Sequence, residues 1–270
     1  MSNVECDGTS CNTPATDGQG TSPAAIQPPT AEEIERLFRR LPVAMARPVL
    51  LGSLEMLKAC CRFNWEVAGL HNLSGFEPPY IFASNHCSHA DTAAILGVLP
   101  KGMRNHTCVA AALDVFGHSG DRKRLSKGIL QFLVGASFRA FAFDRQGPPL
   151  RSVRTCVQLI RNGWNLLLYP EGTRSRTGAM NPFKGGVGVL ARFTKRPVVP
   201  IYVNGGINIL PYGAFMPRPG HMSVTVGKPL VFEKSDTPAS FTTRLQESVC
   251  ALGGVPVVRP HALEVAIADL

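Results

Sequence analysis

Asn85-His86-Cys87-Ser88-His89-Ala90-Asp91 follows the apolar run Tyr80–Ser84 and holds the groups best suited to chemistry. Imidazole ionises near neutrality, so His86 can take the proton of a hydroxyl while that oxygen attacks an electrophile. Asp91 can fix the ring's tautomer and stabilise the imidazolium that forms. Three other readings of the same residues stay open. Ser88-His-Ala-Asp91 has the spacing of a capping box, in which the carboxylate only secures a helix start. His86, His89 and Asp91 are metal-ligand types, although their spacing is not a familiar zinc pattern. Cys87 is a nucleophile by type and equally an inert packing thiol.

A second block, Tyr169-Pro170-Glu171-Gly172-Thr173-Arg174-Ser175, ends another apolar run. Phe183-Lys184-Gly185-Gly186 comes shortly after it. Glycines let a backbone approach a ligand closely, and Arg174 and Lys184 can pair with phosphate oxygens, with Glu171, Gly172 and Thr173 shaping the turn beside them. The alternative is a glycine-rich surface turn carrying solvated cations. Between the two blocks lies Phe143-Asp144-Arg145, an apolar run ending in a charged pair.

Both blocks need strands to hold them. The runs Tyr80–Ser84, Cys108–Ala112, Phe138–Phe143, Asn165–Tyr169, Val198–Val203 and 221–227 read as strands. Helices are expected over 88–99, 123–134, 148–162, 186–195 and 237–252. Alternation of this kind predicts an α/β domain with a mixed, largely parallel sheet flanked by helices. Loops at the carboxyl ends of such strands are where reactive groups collect. Ahead of the domain, Thr30-Ala-Glu-Glu33 matches a capping box, and Ile34, Leu37, Phe38 and Leu41 follow at helical spacing. Val49 to Phe63 is a second apolar stretch, interrupted by Glu55, Lys58 and Arg62. Residues 30–63 thus read as an N-terminal membrane-associating helical pair, 64–252 as the α/β domain, 1–29 as a disordered tail and 253–270 as a C-terminal tail.

The chain has 270 residues, 44% hydrophobic and 17% charged, enough for one sizeable core. Its 28 Lys+Arg exceed 19 Asp+Glu, a formal net charge of +9 that implies an anionic partner. Aromatics are only 7% and are not interleaved with the basic residues, which argues against nucleic acid. No G-x-S-x-G occurs, so a nucleophile elbow is excluded. Gly186-Val-Gly188-Val-Leu-Ala191 fits G-x-G-x-x-A but follows Phe183-Lys184 rather than a strand, which removes the dinucleotide reading. The eight cysteines form no C-x-x-C pair and read as reduced thiols in a cytosolic compartment. The N-terminus shows no secretory pattern, and no run of about 18 uncharged apolar residues suggests a spanning helix.

In this order the blocks resemble those of the glycerolipid acyltransferase family, of the bacterial 1-acylglycerol-3-phosphate acyltransferase type. Asn85-His86 with Asp91 is similar to its N-H-x4-D block, Phe143-Asp144-Arg145 to its second block and Tyr169–Ser175 to its third. Phe183–Gly186 fits the stretch after that, and Val198-Val199-Pro200-Ile201 the fourth block. The resemblance covers roughly residues 64–230. It implies transfer of a fatty acyl chain from acyl-CoA or acyl-carrier protein to the free hydroxyl of 1-acylglycerol 3-phosphate. His86 would be the base and Asp91 its partner, with Arg145, Arg174 and Lys184 on the phosphates. No metal or organic cofactor is implied. An anionic membrane surface at the cytoplasmic face is the expected location. Alternatives are the same chemistry on another lysolipid, such as an amino-acid lipid, or a non-catalytic lipid-binding module.

Overall fold

In the computed structural model of the chain, the described residues are 29–112, 135–143, 149–214 and 216–257. The expected helix over 123–134, most of the two tails and Arg145 lie outside them.

Seven strands form one sheet: β1 (Phe63–Ala68), β2 (Ile81–Ser84), β3 (Thr107–Ala112), β4 (Ala140–Phe143), β5 (Asn165–Leu168), β6 (Val198–Asn204) and β7 (Gly220–Val226). Their order is β1-β7-β6-β2-β5-β3-β4. Every neighbouring pair is parallel except β6 and β7, which are antiparallel. The fold is therefore α/β with a mixed, mostly parallel sheet. Alternation along each strand splits the core into two faces. Ile81, Ala83, Cys108, Leu166 and Val198 point to one cluster, while Phe82, Val109, Leu167, Val199 and Ile201 point to the other. Both faces are apolar because both are covered, as parallel sheets require.

Eight helices are described: α1 (Ala31–Arg39), α2 (Leu41–Cys61), α3 (His89–Val98), α4 (Lys101–Asn105), α5 (Pro149–Arg161), α6 (Gly186–Thr194), α7 (Gly206–Ile209) and α8 (Pro238–Gly253). α1, α5, α6 and α8 contribute to the first cluster, and α3 to the second. The carboxyl ends of β2 and β5 are adjacent, so the loops carrying the two polar blocks meet. Register makes this close, with Ala83 opposite Leu168.

Three elements differ from the sequence reading. Residues 63–68, to which the sequence reading assigned no strand, form an edge strand paired with β7. The strand expected from Phe138 begins at Ala140. The amphipathic helix α1 turns its apolar face inward: Ile34 and Phe38 are buried, and Phe38 meets Trp164 edge-on at 5.2 Å. The same periodicity serves a helix on its own core or on a bilayer, and here the core takes that face.

α2 reverses the usual pattern. Its inner side buries Val43 and, unexpectedly, Arg47, while Met45, Val49 and Met56 face solvent. The Arg47 guanidinium donates to the carbonyls of Ser137, Arg104, Thr107 and Phe138. Burial, then Arg139, pulls its pKa down to about 9. Four carbonyls replace the lost water, tying α2 to the entries of β3 and β4. Among the described residues no helix is long and apolar enough to cross a membrane.

Candidate active site

β2 ends at Ser84, and Asn85 extends its pairing with β6 by side chain instead of backbone. The Asn85 Nδ2 donates to Val203 O at 2.9 Å, and its Oδ1 accepts from Val203 N at 2.8 Å. This fastening turns the chain so that His86 leaves the sheet and α3 begins at His89. Ser88 caps α3, its Oγ accepting from Ala90 N at 3.1 Å and donating to Leu210 O at 2.7 Å.

Asp91 is 1% exposed and unites two readings that the sequence set against each other. Its Oδ2 accepts from Ser88 N and Cys87 N, each at 2.7 Å, as a capping carboxylate does. The same oxygen lies 3.2 Å from His86 Nδ1. One carboxylate thus secures the helix start and orients the imidazole. With Nδ1 toward Asp91, the His86 Nε2 has no hydrogen-bond partner among the described residues, and the side chain is 14% exposed. The carboxylate fits because residue 206 is glycine: a Cβ there would stand 2.0 Å from Asp91 Oδ1. That Oδ1 is buried without a partner among the described residues.

The second block holds His86 by its main chain. Glu171 Oε1 accepts from His86 N at 2.8 Å, and Ser175 N donates to His86 O at 2.7 Å. Glu171 Oε2 accepts from the backbone and side-chain nitrogens of Asn181 at 2.9 and 2.8 Å. Burial pushes the Glu171 carboxyl up, and these donors oppose it. Both oxygens are occupied by protein, so Glu171 acts on the loop and is not turned toward a phosphate. Gly172 takes φ +74°, a left-handed conformation, and a Cβ there would meet the Lys184 side chain at 3.1 Å. Lys184 therefore lies along this turn, and Thr173 is exposed beside it.

Arg174 reaches the mouth, its guanidinium 4.7 Å from the Tyr212 ring centroid, with Arg176 at 5.3 Å from the same ring. Its charge is felt at His89, whose ring centroid is 6.5 Å from that of His86. Although the residue reaches the surface, desolvation of its ring, then Arg174 and His86, push the His89 pKa down to about 4, so it is neutral at pH 7. Among the described residues no three His, Cys, Asp or Glu side chains gather into a metal-holding group.

Cys87 is buried, and its Sγ is 3.7 Å from Gly178 O. Burial, then Asp91 and Glu171, pushes the thiol up to about 12, the opposite of what a nucleophilic cysteine needs. Cys87→Ala is expected to keep most of kcat. A dead Cys87→Ala beside an active His86→Ala, read by steady-state kinetics, would overturn that.

Asn85 and Ser175 were visible as members of their blocks, but nothing in their types announced that they brace His86. Asn181 and Tyr212 carried no signal in the sequence.

A histidine–carboxylate pair thus stands at the carboxyl ends of a mostly parallel sheet in an α/β protein, with cations on the adjoining turn. The chain belongs to the Acyltransferase family, whose model matches residues 64–204. It is similar to a chloroplastic 1-acyl-sn-glycerol-3-phosphate acyltransferase of Brassica napus, 29% identical over 177 residues, 64% of this chain and 47% of the relative. It is also similar to the human 1-acyl-sn-glycerol-3-phosphate acyltransferase alpha, 31% identical over 140 residues, 52% of this chain and 45% of the relative. The chain spans about half the length of the curated relatives it matches. Its fold is like that of the crystal structure of the 1-acyl-sn-glycerophosphate acyltransferase PlsC from Thermotoga maritima, with a TM-score of 0.56 and 21% identity over 81% of this chain and 84% of that one.

Proposed function

We propose that this protein is an O-acyltransferase that moves a fatty acyl chain from a thioester carrier to the free hydroxyl of 1-acylglycerol 3-phosphate. The observation that carries the reading is His86 Nδ1 held 3.2 Å from the buried Asp91, with Nε2 left for a substrate proton. The acceptor hydroxyl gives its proton to Nε2 as its oxygen bonds to the thioester carbonyl carbon. The tetrahedral intermediate then collapses, the C–S bond breaks, and the departing sulfur takes the proton back from His86. A thioester is already activated, so no enzyme nucleophile is needed, in keeping with the raised Cys87 thiol. Acyl-CoA and acyl-carrier protein both present the required carrier. The test offers purified protein a panel of labelled lysolipids with acyl-CoA and separates the products by chromatography. Acylation of 1-acylglycerol 3-phosphate above the other acceptors is expected, and transfer only to an uncharged or amino-acid lysolipid would refute the acceptor.

The phosphate should be met by Arg174 and Lys184. Cations that hold a group remote from the reacting hydroxyl bind ground and transition states alike. Arg174→Ala is therefore expected to raise the acceptor KM about tenfold, or roughly 1.4 kcal/mol, with kcat little changed. An unchanged acceptor KM would remove the residue from this role.

The membrane reading rests on α2, since α1 spends its apolar face on the core. Met45, Val49 and Met56 are 52%, 64% and 68% exposed on one side of α2, and Arg36, Arg39 and Arg40 are exposed nearby in sequence. Apolar side chains flanked by cations suit the interface of an anionic bilayer, here at the cytoplasmic face. The full chain should float with anionic vesicles, and Met45→Glu with Val49→Glu and Met56→Glu should abolish flotation without lowering the melting temperature. Equal flotation of the triple variant would exclude α2 as the anchor.

A further inference from the structure

Two consecutive residues of the first turn of α3 grip the catalytic imidazole in different ways. Asp91 meets its edge at Nδ1. Thr92 acts through Tyr169, the residue that leads from β5 into the second block. The Thr92 Oγ1 and the Tyr169 hydroxyl are 2.6 Å apart. The Tyr169 ring lies flat on His86, with centroids 3.8 Å apart and planes inclined by 14°. Nothing in the proton-transfer scheme uses this ring, and neither Tyr169 nor Thr92 was singled out by residue type.

The chemistry of that contact follows from the ring's charge distribution. Burial of the phenol, then Asp91, push its pKa up, so the hydroxyl stays protonated and the ring neutral. The face of a neutral aromatic ring is electron-rich, and a cation placed over it is attracted. As general base, His86 gains positive charge when it takes the substrate proton. The attraction therefore grows toward the transition state, where it lowers the barrier instead of tightening substrate binding. The flat contact also blocks rotation of the imidazole out of the plane in which Asp91 is reached.

We propose that Tyr169 is a positioning residue whose ring face, fixed by the hydroxyl of Thr92, holds the His86 imidazole and stabilises its cationic form during acyl transfer. This rests on His86 being the general base. The two share an active-site wall but belong to loops 83 residues apart, so the contact exists only because β2 and β5 are neighbours.

Tyr169→Phe keeps the ring and is expected to retain kcat within about threefold. Tyr169→Leu removes the face and is expected to lower kcat about three- to thirtyfold with both KM values unchanged. In a His86→Ala background the same leucine should cost nothing further, since the cation it serves is gone. A folded Tyr169→Leu with wild-type kcat, or with the same loss in both backgrounds, overturns the proposal. If the leucine variant does not fold, a series of progressively fluorinated phenylalanines at 169 decides the matter, because fluorine drains the ring face while nearly keeping its shape. A stepwise fall in kcat supports the proposal, and a flat series refutes it. Failure of the general-base reading itself is distinguishable: His86→Ala would then keep its activity whatever stands at 169.

Discussion

His86→Ala is expected to lower kcat roughly a hundredfold to ten-thousandfold, the worth of a positioned general base, with donor binding retained. The main chain around His86 makes this a clean substitution. Its N–H is held by Glu171 and its carbonyl by Ser175 N, and neither bond involves the imidazole. Alanine should therefore keep the loop and leave a slot between the Tyr169 ring and Asp91 Oδ2, which bound the imidazole on its face and edge. Free imidazole can enter a slot of that shape, so partial recovery of kcat with added imidazole is expected in this variant alone. Steady-state kinetics with and without imidazole, beside thermal melts, reads both effects. An active, well-folded His86→Ala would mean that the proton is taken elsewhere.

Asp91→Asn separates the two roles that one oxygen plays. Asparagine can set its carbonyl oxygen where Oδ2 now accepts from Cys87 N and Ser88 N. Its NH2 then falls at the place of Oδ1, which already lacks a partner among the described residues. The helix start survives with neutral in place of charge-assisted bonds, a loss of about 1–2 kcal/mol. The imidazolium, in contrast, loses its counter-charge, and an amide turned the other way would present a donor to Nδ1 and select the wrong tautomer. We expect kcat to fall at least about a hundredfold, far more than the melt would suggest. A pure cap would tolerate asparagine, so near-normal kcat would reduce Asp91 to that role.

The strands and the two polar blocks were legible because their signals are local. Apolar runs of four to seven residues broken by Asn85-His86 and by Pro170-Glu171-Gly172 mark strand ends, and the parallel alternation with helices dictates that such ends share one edge of a sheet. Asn85, His86, Asp91, Gly172, Arg174 and Lys184 could be named from that alone. What each of them touches could not. Glu171 was read as shaping the turn beside the cations, but that its carboxylate serves the His86 and Asn181 nitrogens carried no local signal. That partnership bridges 85 residues and follows from which strands pair, a choice no local pattern encodes.

The helices show the same divide. Periodicity established that α1 is amphipathic, but a hydrophobic stripe specifies only that something apolar covers it, and the packing of Phe38 on Trp164 decided what. In α2 the local signal did not say which side turns inward. Arg47 is buried and Met45, Val49 and Met56 are exposed, because four carbonyls at the entries of β3 and β4 can satisfy a guanidinium and cannot satisfy a methionine. Composition and spacing determined which groups this protein has for chemistry and at which edge of the sheet they stand. Only the tertiary structure decided their partners, because a hydrogen bond or a ring contact depends on distances of a few ångströms between segments far apart in the chain.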